Sequence, residues 1–203
     1  MYISRTIETP LKESLFKGKV IILYGPRQSG KTTLVKKIAS ELKRPFKYLN
    51  CDEGNVLRAL NAVDTSAGLL EVIGKPEIVI IDEAQKVENI GLKLKLLIDT
   101  FPKLQVVATG SSSFELAEKV TEPLTGRNIK FHLYPISISE LTLVYDHLEI
   151  DRQLENLLLY GSYPEVVTLN SLEGKEATVK RLSGDNLYKD ILKVNGLKNE
   201  ETI

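Results

Sequence analysis

The chain has 203 residues, with 27 Lys plus Arg against 27 Asp plus Glu and a pI near 6.8. That neutrality speaks against a protein that binds nucleic acid over its whole surface. One Cys, Cys51, and two isolated histidines, His132 and His147, exclude an internal disulfide framework and a zinc cluster, and point to a reducing, cytoplasmic compartment. No apolar run approaches the roughly 18 residues of a membrane helix, and residues 1–12 lack the apolar stretch of a signal peptide, so a soluble domain with one sizeable core is expected.

Five short β-branched or apolar runs follow one another at residues 20–24, 46–50, 78–81, 105–109 and 129–134. The first and third are continuously apolar, which suits strands covered by helices on both faces of a parallel sheet. Between the runs, Leu34, Val35, Ile38, Ala39 and Leu42 recur at helical spacing, as do Leu92, Leu96, Leu97 and Ile98, and supply crossover helices. The pattern is a βαβ alternation. After residue 134 the strand signal stops, and 137–147, 151–160 and 171–192 are expected to be helices, with Gly161-Ser162-Tyr163-Pro164 separating the last two. The last residues, 193–203, are polar and aperiodic.

Directly after the first strand comes Gly25-Pro26-Arg27-Gln28-Ser29-Gly30-Lys31-Thr32, which fits G-x-x-x-x-G-K-[ST] at every fixed position. Gly25 and Gly30 let the backbone turn its N–H groups inward, and a helix starting near Lys31 adds its positive end to the same concavity. Lys31 is expected at the β and γ phosphates, Thr32 at Mg²⁺, and Thr33 beside it within the nucleotide site. Arg27 occupies a variable slot in the loop.

The third strand ends in Asp82 and Glu83. Two charges at the end of an apolar strand are costly unless used. With a phosphate loop upstream, Asp82 is assigned to Mg²⁺ and Glu83 to orienting and deprotonating the attacking water, the alternative being that either simply caps the segment before Val87. Gln85 is a weaker candidate for the γ-phosphate. Past the fourth strand, Thr109 and Ser111 are candidates for contact with the γ-phosphate or its water, against purely structural roles, while Ser112 with Glu115 forms a capping-box pattern. Arg127, in Leu124-Thr125-Gly126-Arg127, is a candidate arginine finger for a neighbouring subunit, or else a surface arginine paired with a local carboxylate. Asp52, after the second strand, is expected to cap a helix.

Together these residues resemble the AAA-type P-loop ATPases, in particular an archaeal and bacterial group in which an ATPase core precedes a separate C-terminal domain of unknown function. The motifs that carry the resemblance are the loop at 25–32, the acid strand at 78–85, the segment 108–113, Gly126-Arg127, Tyr134-Pro135-Ile136-Ser137 and Tyr160-Gly161-Ser162-Tyr163-Pro164-Glu165. The resemblance implies an α/β fold, a three-layer P-loop NTPase sandwich around a five-stranded parallel sheet, followed by a small helical lid. In it the phosphate-loop strand is central, flanked by the fourth strand with the acid-bearing strand beyond. The implied organisation is an ATPase core over 1–135, a helical lid over 136–192, and a polar tail over 193–203 at which the chain is cut short before a further domain. Arg152 and Arg181 lie on the lid helices, without a motif to choose either as a lid arginine. The implied function is Mg²⁺-dependent ATP binding and hydrolysis coupled to movement of the lid or an attached domain, with ATP and Mg²⁺ as cofactors and a homo-oligomer or protein as partner. The competing readings are a non-hydrolysing nucleotide-gated binding module and a P-loop phosphotransferase. Nucleic acid and membrane partners find no support in this segment.

Overall fold

The structure, a computed structural model, describes residues 1–111 and 123–184. The chain divides into two compact units, one comprising 5–26 and 30–133, the other 1–4, 27–29 and residues from 134 onward.

The first unit is built on five parallel strands, β1 Val20–Tyr24, β2 Phe46–Asn50, β3 Ile78–Asp82, β4 Gln105–Gly110 and β5 Asn128–His132, in the order β2-β3-β4-β1-β5. The register pairs Leu23 with Thr109 and with Phe131, Ile81 with Ala108, and Asn50 with Asp82. β3 and β4 are buried along their whole length and β1 almost so, as continuous apolar runs require, whereas the outer strands β2 and β5 are largely half-exposed or exposed. Side chains alternate between the two faces. Val20, Ile22, Val79, Ile81, Val106 and Ala108 form one core with Leu60 of α3 (Gly54–Asn61), Leu69 and Ile73 of α4 (Ser66–Ile73) and Leu94 and Leu97 of α5 (Ile90–Thr100). Ile21, Leu23, Ile78, Ile80 and Val107 form the other with Leu11 of α1 (Glu8–Ser14) and Leu34, Val35 and Ile38 of α2 (Lys31–Glu41). The three-layer α/β sandwich thus agrees with expectation, as does the sequence of neighbours from β1 through β4 to the acid-bearing β3, but the phosphate-loop strand is not central: β5 adds only one strand on its far side, so β4 holds the middle of the sheet.

Details differ. The last strand stops at His132 rather than residue 134: Leu133 N–H still donates to Tyr24 O at 2.8 Å, and Tyr134 is exposed. Asp52 is no helix cap. Glu53 occupies the N-cap position of α3 without a side-chain bond, and Asp52 instead pairs with Lys86.

In the second unit, α6 (Ile138–Leu141), α7 (His147–Tyr160), α8 (Pro164–Thr168) and α9 (Leu172–Leu182) follow one another. Ile3, Ile136, Leu141, Ile150 and Val167 form its small core. The single helix expected over 137–147 is two starts. Ser137 and Glu140 close a capping box on α6, and Asp146 accepts from Glu149 N–H to begin α7. Pro164 opens α8 at its first turn instead of only ending a helix, since a missing N–H costs nothing there. The predicted helix to residue 192 is described as far as 184, and the polar tail, like the Ser112–Glu115 capping box, lies outside the described residues.

Candidate nucleotide site

Because all five strands are parallel, Gly25, Glu83 and Ser111 follow the carboxyl ends of β1, β3 and β4 on one edge of the sheet, where ligands of open α/β sheets bind. Gly25 has φ 156°, and a Cβ there would lie 2.0 Å from Leu133 O, so the strand-to-loop turn leaves no space for a side chain. Gln28 and Gly30 also have positive φ, 61° and 97°. α2 begins at Lys31, immediately after Gly30. The Lys31 ammonium donates to Gly25 O at 2.9 Å and Pro26 O at 2.8 Å. Ser29 is fully buried and Thr33 is exposed in the first turn of α2.

Fifty positions away in sequence, Asp82 meets this helix. Thr32 Oγ1 donates to Asp82 Oδ2 at 2.6 Å, and the same oxygen accepts from Tyr48 Oη of β2 at 2.7 Å. Thr109 Oγ1 and Glu83 N–H donate to Oδ1. Burial alone would push the Asp82 carboxyl up, but the bonds from Thr109, Thr32 and Tyr48 outweigh it and hold the group below its ordinary range. Burial, then the bond to Asp82, pushes the Tyr48 phenol up, so it remains a donor. The Lys36 ammonium, one turn after Thr32, sits 3.5 Å from the Tyr48 ring centroid.

Glu83 has φ 52° and ψ 42°, a left-handed conformation that a side-chain-bearing residue seldom adopts and that clusters at functional sites. It stands before the 3₁₀ turn Ala84–Lys86 without capping it by its side chain. Its Oε2 instead accepts from Gln85 Nε2 at 2.6 Å, and the same amide nitrogen donates to Ser111 Oγ at 3.2 Å. Gln85 and Ser111 are both buried. So Gln85, expected at a phosphate, bridges the acid and the polar strand end.

Of the residues named from sequence, the described geometry brings Lys31, Thr32, Asp82, Glu83, Thr109 and Ser111 to one strand edge. Arg127 is elsewhere: its carbonyl accepts from Val20 N–H at the start of β1, the opposite end of that strand from Gly25 and about 16 Å away at strand rise. Its Nε lies 2.9 Å from Asp99 Oδ1. Action of Arg127 on its own subunit's phosphates is therefore excluded. Arg181 pairs with Glu165 at 2.7 Å, and Arg152 is exposed. Sequence reasoning missed Tyr48 and Lys36. No motif marks them, although a tyrosine two positions before the end of a strand adjacent to the acid strand is the available signal.

The oxygen set of Thr32 and Asp82 consists of hard donors, as Mg²⁺ requires, and the positive-φ loop, the α2 N-terminus and the Lys31 ammonium suit a polyphosphate.

An AAA-domain family profile matches residues 17–142, well over half of the chain. The chain belongs to the AAA-domain family. It is thereby an AAA-type P-loop ATPase by descent, of a nucleotide-binding class. An uncharacterised protein of Methanocaldococcus jannaschii is 23% identical to this AAA domain over 98% of the chain and 48% of the relative, and one of Mycobacterium tuberculosis is 26% identical over 82% and 35%. The chain thus spans half or less of the length of these curated relatives. Among solved structures, a Walker-type ATPase of Pyrococcus abyssi shares the fold at a TM-score of 0.62 and 16% identity, covering 95% of this chain and 75% of that one. Among the described residues no helix is long and apolar enough to cross a membrane.

Proposed function

We propose that this AAA domain binds ATP with Mg²⁺ and hydrolyses it, using nucleotide state to move the helical segment after Tyr134 or a domain attached to it. The observation that carries the reading is the 2.6 Å bond from Thr32 to Asp82, which ties the helix after the phosphate loop to the acid strand with Glu83 next in sequence. Thr32 and Asp82 would hold Mg²⁺, which when bound supplies charge neutralisation on the β and γ phosphates. The N–H groups of the loop 25–32 and the Lys31 ammonium hold the phosphate oxygens and offset the charge that shifts toward the leaving oxygen. Glu83 accepts a proton from the attacking water as its oxygen bonds to the γ-phosphorus and the bond to the ADP oxygen breaks. Thr109 acts through Asp82, and Ser111, whose oxygen accepts from Gln85, keeps its own proton for a phosphate oxygen or the water.

Coupling to the second unit is supported by chain continuity. Leu133, whose carbonyl crowds Gly25, is followed directly by Tyr134, where the helical unit resumes. Arg127 serves a neighbouring subunit in a homo-oligomer, and the cytoplasm is the proposed compartment.

Phosphate release tests the reading. Glu83→Gln should lower turnover by about 100-fold or more while ATP affinity stays within about threefold, because the base is lost and the phosphate cradle is not. Unchanged turnover in this variant would overturn the assignment of the base.

A further inference from the structure

The Asp82 carboxylate is saturated. A carboxylate offers about four acceptor positions, and four donors use them: Thr109 and Glu83 N–H on Oδ1, Thr32 and Tyr48 on Oδ2. A hydrated magnesium ion that leans on Asp82 needs one of those positions. Three of the four donors are poorly able to give theirs up. Glu83 N–H is main chain adjacent to the acid, and Thr109 is fully buried in a strand flanked on both sides. Thr32 can donate its proton to Asp82 while its oxygen lone pair faces a cation, so it has no reason to leave. Tyr48 is different: it is half-buried, it lies on the outer strand β2, and its ring is held on one side by an exposed Lys36.

We propose that the Tyr48 phenol is a placeholder, occupying on Asp82 Oδ2 the acceptor position that hydrated magnesium takes, and so sets the magnesium requirement for nucleotide binding. The proposal rests on the reading that Thr32 and Asp82 hold Mg²⁺. Tyr48 is a positioning residue, acting through Asp82 without touching nucleotide. Its bond keeps a buried carboxylate satisfied and aimed before the cation arrives, at the cost of competition when it does.

The test is calorimetric titration of a non-hydrolysable ATP analogue at graded Mg²⁺ concentrations and in EDTA, on wild type and Tyr48→Phe, with circular dichroism to check folding. In Tyr48→Phe the half-saturating Mg²⁺ concentration should fall by about tenfold or more, the scale of one bond to a charged group, while affinity in EDTA stays unchanged. A midpoint that stays put, or one that rises because the phenol is a fixed support, overturns the placeholder role. Wild-type affinity that is indifferent to Mg²⁺ overturns instead the assignment of Thr32 and Asp82, and the placeholder with it. If the Phe variant does not fold, Tyr48→Leu, which also removes the hydroxyl, is judged by the same shifts.

Discussion

At the residue scale, the site turns on how a buried charge is kept ionised. Asp82 is 4% exposed, and the hydroxyl of Thr109, with 0% exposure, is among the donors that hold its pKa down. A carboxyl whose folded pKa lies below its unfolded value of about 3.9 adds stability above that value and loses it as pH falls through the folded pKa. Thr109→Val keeps the shape and removes the donor. It should cost about 1–3 kcal/mol at pH 7, and because the folded pKa moves up toward the unfolded value, the fall in stability on acidification should be smaller and should end at a higher pH, both read from urea denaturation between pH 7 and 2.5. An unchanged acid limb would show that Thr109 does not support the charge. His132 behaves with the same sign for another reason. Burial, then the positive charge of Lys31, lowers its pKa, so the neutral ring is favoured in the fold. Its contribution is complete above about pH 6.5 and is lost as pH falls through the lowered folded value. His132→Gln should therefore narrow the difference in urea midpoint between pH 7 and pH 5.

The residues that sequence alone could assign were those bound to a fixed local spacing: Gly25, Lys31 and Thr32 in one loop, Asp82 and Glu83 at one strand end. Tyr48 could not be assigned, because what brings it to Asp82 is the pairing of Asn50 with Asp82 between neighbouring strands, a long-range register that no short motif encodes. Gln85 is visible in the sequence, but its bonds to Glu83 and Ser111 are not. A side chain two residues past the acid points wherever the 3₁₀ turn sends it, and here that is back to Glu83 and across to Ser111.

At the scale of elements, legibility followed burial. β1 and β3 are covered on both faces and read as unbroken apolar runs, and α2 presents Leu34, Val35, Ile38 and Ala39 to the sheet, so strand and helix alternate plainly in the sequence. The helices after residue 134 bury few residues each, and their limits are set by caps, so Ser137 with Glu140 and Asp146 with Glu149 divide what apolar spacing alone would join. The junction of β1 with the phosphate loop is the element boundary with least freedom. A methyl group on residue 25 meets the Leu133 carbonyl oxygen at 2.0 Å, and the obstacle is backbone held by a hydrogen bond to Tyr24. Gly25→Ala should therefore lose more than about 3 kcal/mol of stability by thermal or urea unfolding, together with nucleotide binding. A loss below about 1 kcal/mol would mean that β5 and the loop can part easily, and that Leu133 is no route from nucleotide to the helical unit.

At the scale of the whole molecule, the position of Arg127 bears on whether one chain makes a complete site. The Arg127 main chain bonds to Val20 at the amino end of β1, while the phosphate loop leaves its carboxyl end, so no side-chain movement brings the guanidinium to its own nucleotide. Within the chain Arg127 has a sufficient partner in Asp99, and with both side chains nearly half exposed, that pair alone contributes little. These facts leave two outcomes with different arithmetic. If Arg127 serves a neighbour, Arg127→Ala should lower turnover by at least about tenfold, a modest share of what an arginine supplied in trans contributes, while the melting temperature barely moves. Mixing Arg127→Ala with Glu83→Gln decides the direction of action. Each variant alone lacks one component of every site, but in a mixed assembly an Arg127→Ala subunit retains Glu83 and borrows Arg127 from a Glu83→Gln neighbour, so turnover should recover to a measurable fraction of wild type as assemblies exchange. Absence of recovery, with subunit exchange demonstrated by mass, would confine Arg127 to its pairing with Asp99 and make the nucleotide site the property of a single chain.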